Sequence, residues 1–317
     1  MILSIAVFDH VCQPAFFWHS RLMIDHLRVL RPCDNIYAFY DGRVEGYRFS
    51  ERDNWVDDGA LSLGIASYAI VDGNEAVIYD THITVAHATF IRETLAGVGV
   101  RKFTVVLSHW HLDHIAGTEA FADCEIIANQ RTADHLARDR RAIEAGTHKG
   151  MPAINPLIMP TRTFSATMAL QVGKIYLELI EANIHSDDAT VIWIEQLGML
   201  LAGDTMEDTV TYVGEPEYFD THLQDLDRLW ALRPTAILPN HGDPEIISLG
   251  GYEKTFIRAT QQYIRMLKRC VSDPDLRSQP LHKIIAGPLE AGWVNLFEPY
   301  EGVHRQNIAN VLAATLS

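Results

Sequence analysis

The chain has 317 residues, 48% of them hydrophobic, enough to bury a large core as one big domain or two small ones. Its 41 acidic against 26 basic side chains leave a formal net charge of −15, and the longest basic cluster is RDRR at 138–141; phosphate neutralisation needs clustered Lys and Arg, so a nucleic-acid partner is excluded. Four scattered cysteines without a CxxC pair (Cys12, Cys33, Cys124, Cys270) fit reduced thiols, and no apolar run reaches membrane length, so the expectation is a cytoplasmic protein with a small-molecule partner and no membrane partner.

Residues 1–32 read as an N-terminal extension. MILSIAVF is apolar but lacks a basic flank and is interrupted by Asp9 and His10, which makes a poor signal peptide. Helix-like apolar spacing follows around FFWHSRLMIDHLRVL and stops at Pro32; such an arm would cover the domain or make a homodimer contact. NIYAFYDG (35–42) reads as a strand, and ASYAIVDGNEAVIYD as strand, DGN turn and strand. A helix over about 84–97 leads to the strand KFTVVL. GTEAFA continues helically, CEIIAN (124–129) is a strand, and RTADHLARDRRAIEAG is a helix ended by Gly146. Residues 147–163, with three prolines and little period, read as a long loop, either a connection or a pocket wall.

KIYLELIEAN and the hairpin ATVIWIEQLGMLLAGD are strongly β; DTHLQDLDRLWALR is a helix and TAILPNHGD a strand. From Tyr252 onward helical patterns dominate, in YEKTFIRATQQYIRMLKRCV and VHRQNIANVLAATL. Two blocks of strands with helices attached predict two sheets packed face to face with helices outside. The main domain is placed over 33–251, with a helical C-terminal extension (252–317) packed on it.

Histidines and aspartates recur just past the apolar β runs. SHWHLDHIAG (108–117) carries His109, His111, Asp113 and His114 directly after FTVVL; His185 follows LELIEAN, Asp204 follows GMLLAG, and His241 follows TAILPN. Strand ends converge at a sheet edge, and imidazole nitrogen with carboxylate oxygen is the donor set of zinc and similar divalent ions. A lone histidine of this kind is ordinarily a satisfied core residue. Seven such residues at four strand ends point to a metal site.

HWHLDH matches the HxHxDH motif of the metallo-β-lactamase fold superfamily, and His185, AGDT and NHGD follow in the order that superfamily uses. Over roughly residues 33–250 the chain resembles that superfamily. The resemblance implies an α+β fold, an αβ/βα four-layer sandwich with the metal site at one edge. It assigns His109, His111 and His185 to a first metal, Asp113, His114 and His241 to a second, and Asp204 to a bridge between them. Asp80, ending the strand AVIYD, would steady the HxHxDH loop without binding metal. Two divalent ions per chain are implied, zinc first, with iron or manganese as alternatives. They would share a water as a hydroxide nucleophile, with Asp113 as the catalytic residue that orients it. The implied activity is hydrolysis of a small ester, lactone, thioester or amide.

Local departures narrow the resemblance. Asp204 stands where several β-lactamase classes place Cys or Ser, which is closer to glyoxalase II-like and lactonase-like hydrolases. His111 replaces the Glu of flavodiiron proteins. Persulfide dioxygenases keep the motif with one iron held by two histidines and an aspartate, so an oxygen-consuming reaction on a persulfide is the alternative. A non-catalytic metal-binding protein is the third reading. In HSDDAT, Asp188 replaces a usual glycine and reads as tolerated backbone geometry. In DTH, His82 reads as a supporting or surface histidine. Quorum-quenching lactonases place a tyrosine soon after the bridging aspartate; DTMED has none, and Tyr212 lies further on. In GWVNLFEPYEGVHRQN, Trp293, Phe297 and Tyr300 read as packing the tail onto the core, with a pocket wall as the other option.

Overall fold

The computed structural model describes residues 24–315. Cys12 and the N-terminal part of the helix-like reading lie outside the described residues. Within them that reading is overturned, because Arg28–Cys33 is a strand, β1. It pairs antiparallel with β2 (Ile36–Asp41) and forms the edge of a sheet. Arg28 to Arg31 alternate with a period of two, Val29 exposed and Leu30 turned to the core, and a register shift after Leu30 brings Cys33 to the same face. Pro32 is tolerated because an edge strand can spare an N–H. The sheet thus begins at Arg28, and the expected boundary after residue 32 falls inside β1.

β1, β2, β3 (Ile65–Asp72), β4 (Glu75–Tyr79), β5 (Lys102–Val106), β6 (Glu125–Asn129) and β7 (Arg162–Phe164) form one sheet in chain order. Its first four strands are antiparallel neighbours, whereas β4 to β7 run parallel. The second sheet has the order β12-β11-β10-β9-β8, from β8 (Thr167–Val172), β9 (Ile175–Glu181), β10 (Thr190–Ile194), β11 (Met199–Gly203) and β12 (Ala236–Pro239). β11 and β12 are parallel; the other pairs are antiparallel.

The central strands are apolar throughout because both of their faces are covered. In β4, Val77 and Tyr79 enter the core between the sheets, while Ala76 and Ile78 face the outer helices. In β11, Met199 and Leu201 point inward and Leu200 and Ala202 outward. Helices α1 (Val85–Gly97) and α2 (Gln130–Glu144), capped by the side chains of Thr84 and Asn129, cover the first sheet through Ile91, Leu95 and Leu136. Helices α3 (Phe219–Ala231), α4 (Thr255–Cys270) and α5 (Tyr300–Ala314) cover the second through Leu226, Phe256, Ile264 and Ile308. Each such side chain contributes roughly 1.5–3 kcal/mol when fully buried. The result is the helix–sheet–sheet–helix sandwich expected from the resemblance.

The tail is continuous with the core. Ile237 and Tyr252 exchange backbone hydrogen bonds of 2.8 Å, and Trp293 and Phe297 pack on the cluster that holds α4. Residues 43–64, unassigned from the sequence, run between β2 and β3 with a short helical turn at Val56–Leu61. Among the described residues, no helix is long and apolar enough to cross a membrane.

Candidate metal centre

β4 and β5 end at the same edge of the first sheet, and β9, β11 and β12 share one direction in the second. Hydrogen bonds stitch the two edges together. Tyr68 donates to the Pro239 carbonyl and Tyr79 to the Thr190 carbonyl, each at 2.5 Å, while the Thr190 N–H donates to the Ser108 carbonyl at 2.7 Å. Gly203, at φ +58°, precedes Asp204 at the crossing. A Cβ there would stand 2.8 Å from the Tyr79 hydroxyl, so glycine is required.

All seven residues expected from the sequence meet at this edge. Asp204 Oδ2 lies 3.0 Å from His114 Nε2, 3.4 Å from His241 Nε2, 3.6 Å from His109 Nε2 and 3.7 Å from His185 Nε2. His111 Nδ1 faces His185 Nε2 at 3.0 Å. Asp113 Oδ2 is 3.3 Å from His241 Nε2 and 3.5 Å from His114 Nε2. The outward nitrogens are pinned: His114 Nδ1 by Asp80 at 2.9 Å, His185 Nδ1 by the Tyr212 carbonyl at 3.1 Å, and His241 Nδ1 by the Gly64 carbonyl at 2.6 Å. These oxygens accept the Nδ1 proton, so each Nε2 lone pair turns to the centre.

The donor set fits divalent metal. His109 Nε2 and Asp204 Oδ1 are buried without a hydrogen-bond partner, and buried polar atoms are rarely left so. The donor atoms cluster as His109, His111 and His185, as His109, His114 and Asp204, and as Asp113, His114 and His241. Burial, then the neighbouring imidazoles, holds His109 and His111 well below the usual histidine range. Burial pulls His114 and His241 down too, but the Asp204 carboxylate and its neighbours outweigh it and raise both. Burial pushes Asp113 and Asp204 up, yet His114 and His241 bring both below the usual carboxylate range. The ionised carboxylates are ready for a divalent ion, whereas His114 and His241 hold protons that an ion would displace, so metal binding there releases protons.

Asp80 is buried at the back of the HxHxDH loop. Its Oδ1 accepts the Ser108 N–H at 2.6 Å, and its Oδ2 accepts from His114 Nδ1 and, at 2.5 Å, from Asn240 Nδ2. It therefore ties the first ligand loop to the residue before His241. Asp80, His82 and His185 all sit at left-handed φ (66°, 66° and 71°), each costing of order 1–3 kcal/mol and held by its surroundings. His82 is fully buried, accepts the Ile83 N–H and stacks on His87, so the surface reading fails and it joins none of the metal-competent groups. Asp188 is outside the left-handed region, and Ser186 Oγ donates to it at 2.5 Å; no glycine is needed there.

A cavity of about 780 Å³ opens over the centre. Its walls include Trp55, Asp58 and Leu63 from the 43–64 segment, Trp110, and Tyr212 with Glu215. Residues 147–161 form the expected irregular loop, and β7 begins at Arg162, inside the range read as loop. His148 and Lys149 of that loop line the cavity, and Trp55 Nε1 donates to the Pro152 carbonyl at 2.9 Å. The tail does both things read for it: Trp293 and Phe297 pack on the core, while Gly302, Val303 and Gln306 face the cavity. His304 is buried against the Tyr263 hydroxyl, away from it. Sequence reasoning passed over Asn240, Glu207 and the Trp55 segment. Asn240 could have been noticed beside His241; the others carry no local signal.

The family model of the metallo-beta-lactamase superfamily matches residues 62–241, more than half of the chain, and the chain belongs to that superfamily. The chain is similar to the Beta-lactamase-like protein 2 homolog of Caenorhabditis elegans, 21% identical over 211 residues covering 65% of this chain and 66% of that protein. It is also similar to the Probable metallo-hydrolase YqjP of Bacillus subtilis (strain 168), 24% identical over 246 residues covering 65% of this chain and 77% of that one. A metallo-beta-lactamase from Pontibacter korlensis superposes with a TM-score of 0.53 at 17% identity, over 73% of this chain and 99% of its own; at that identity the likeness speaks for the fold.

Proposed function

We propose that this protein is a dinuclear metal-dependent hydrolase that cleaves a small ester, lactone, thioester or amide. The observation that carries the reading is the convergence of four imidazole Nε2 atoms within 3.7 Å of Asp204 Oδ2. His109, His111 and His185 would hold one ion, Asp113, His114 and His241 the other, with Asp204 between them. Divalent ions held there would supply a water of lowered pKa as nucleophile and a Lewis acid for the substrate oxygen. The Asp113 carboxylate, ionised beside His114 and His241, orients the attacking water and then accepts its proton.

Among the lining residues, Ser186 spends its hydroxyl on Asp188, which supports attack by water over attack by a side chain. The cavity volume falls in the range of small-molecule sites, and Trp55 and Trp110 give it apolar walls. His241, packed against both Asp113 and Asp204, favours two ions over the one-iron set of a persulfide dioxygenase.

The test is metal content per chain by elemental mass spectrometry, followed by hydrolysis assays on ester, lactone, thioester and amide panels before and after chelation. About two ions and chelator-sensitive hydrolysis are expected. One iron with oxygen uptake on a persulfide, or hydrolysis that survives chelation, would overturn the reading.

A further inference from the structure

Glu207, three residues past Asp204, is only 2% exposed. Its Oε1 accepts the Tyr212 N–H at 2.8 Å and lies 3.4 Å from His185 Nδ1, so it stands beside the Tyr212 carbonyl that pins that nitrogen. Its Oε2 accepts the Tyr300 hydroxyl at 3.2 Å. Tyr300 opens α5, so one buried carboxylate links an imidazole at the metal centre to the C-terminal helix. The helix grips the same loop elsewhere. Asn307 accepts the Val213 N–H at 2.8 Å and donates to the Thr211 carbonyl at 2.9 Å, and Asn310 donates to the Val213 carbonyl at 2.8 Å. Thr211 in turn donates to the Asp204 carbonyl at 2.7 Å. The segment matched by the family model ends at His241, so Tyr300, Asn307 and Asn310 all lie beyond it.

We propose that Glu207 is a positioning residue of the metal centre, which fixes Tyr212 and, together with the Tyr212 carbonyl, holds the His185 ring in its metal-facing tautomer, and that the C-terminal helix holds Glu207 in place through Tyr300. The inference rests on the assignment of His185 to a metal. An imidazole that donates its outer N–H to a fixed acceptor presents a more basic and better-aimed inner nitrogen. A carboxylate can do this while buried only if its own oxygens are satisfied. Here the Tyr212 N–H and the Tyr300 hydroxyl satisfy them, and the second donor comes from the tail. Oε1 approaches His185 at Nδ1, the nitrogen opposite the one that faces Asp204; because a Glu207 oxygen also lies within 4.8 Å of donor atoms of His185 and Asp204, the ion count of a Glu207 variant separates positioning from ligation.

The experiment measures zinc affinity and stoichiometry of the full chain by competition with a chromophoric chelator, with the thermal midpoint of each metal-free variant recorded alongside. Glu207→Ala should weaken zinc about 10- to 100-fold without a loss of ions at saturation. Glu207→Gln, which can still accept the Tyr212 N–H, should recover most of that affinity, and Tyr300→Phe should fall between wild type and Glu207→Ala. A folded Glu207→Ala with wild-type affinity overturns the proposal. Loss of one ion in Glu207→Gln also overturns it, since that makes Glu207 a ligand. If Glu207→Ala does not fold, Tyr300→Phe decides, and wild-type affinity there refutes the link to the tail. His185→Ala separates the two failures. If it keeps full metal content the ligand assignment itself falls; if it loses an ion while Glu207→Ala is unaffected, only the positioning role falls.

Discussion

Four of the seven residues gathered at the centre, His109, His111, Asp113 and His114, come from one short loop after β5, whereas His185, Asp204 and His241 arrive singly after β9, β11 and β12. One carboxylate, Asp80, serves the contiguous loop by gripping its Ser108 N–H and His114 at once. The dispersed residues each need separate support: the Tyr212 carbonyl and Glu207 behind His185, Thr211 on the Asp204 carbonyl, and the Gly64 carbonyl behind His241. The contiguous half is therefore nearly self-sufficient, and the dispersed half depends on segments drawn from the whole chain, the tail included. A change in the first half should act through one loop. Changes in the second should act through whichever distant segment supplies the support.

The largest effect is expected where the halves meet. Asp204→Ala removes the one carboxylate within reach of four imidazoles, and should lose bound metal and lower hydrolysis by more than about 10³-fold, the scale of a single preorganised electrostatic group. Metal content and kcat/KM on the same preparation check it, and retained turnover would break the idea of a shared centre. Asp80→Asn comes next. The amide still accepts the Ser108 N–H but no longer offers His114 an anionic acceptor, so metal affinity should drop about 10- to 100-fold. Chelator competition measures this. A drop no larger than that of Glu207→Gln would erase the distinction between the halves.

The smallest effect concerns pH. His222, on α3, is buried with both ring nitrogens unpartnered, and burial, then His185, pushes it down to about 4. Between its unfolded value near 6.5 and about 4, the unfolded chain takes up the proton first. Stability is therefore full above about 6.5 and is lost as pH falls, by roughly 2 kcal/mol at pH 5. His222→Leu should flatten this acid limb in urea unfolding of the metal-free chain at pH 7 and pH 5. An unchanged limb would place the acid sensitivity elsewhere.

The seven residues that gather at the centre and most of the strands were legible in the sequence, because both follow from local pattern. Apolar β runs covered on two faces stay apolar throughout, and HxHxDH packs four donors into one loop whose composition is unmistakable. Asp80 was legible for the same reason, at the end of AVIYD. β1 was misread because its alternation covers only Arg28 to Arg31 before a register shift and merges with apolar residues before it that suggest a helix. What no sequence pattern carried is that Glu207 stands beside His185, that Tyr300 reaches it from 93 positions away, and that the cavity walls draw on residues between 53 and 63, on 148–149 and on 302–306. A contact between such separated segments leaves no periodicity at either end. It exists because the tail packs on the second sheet, and that burial is set by surfaces available only after both sheets have formed.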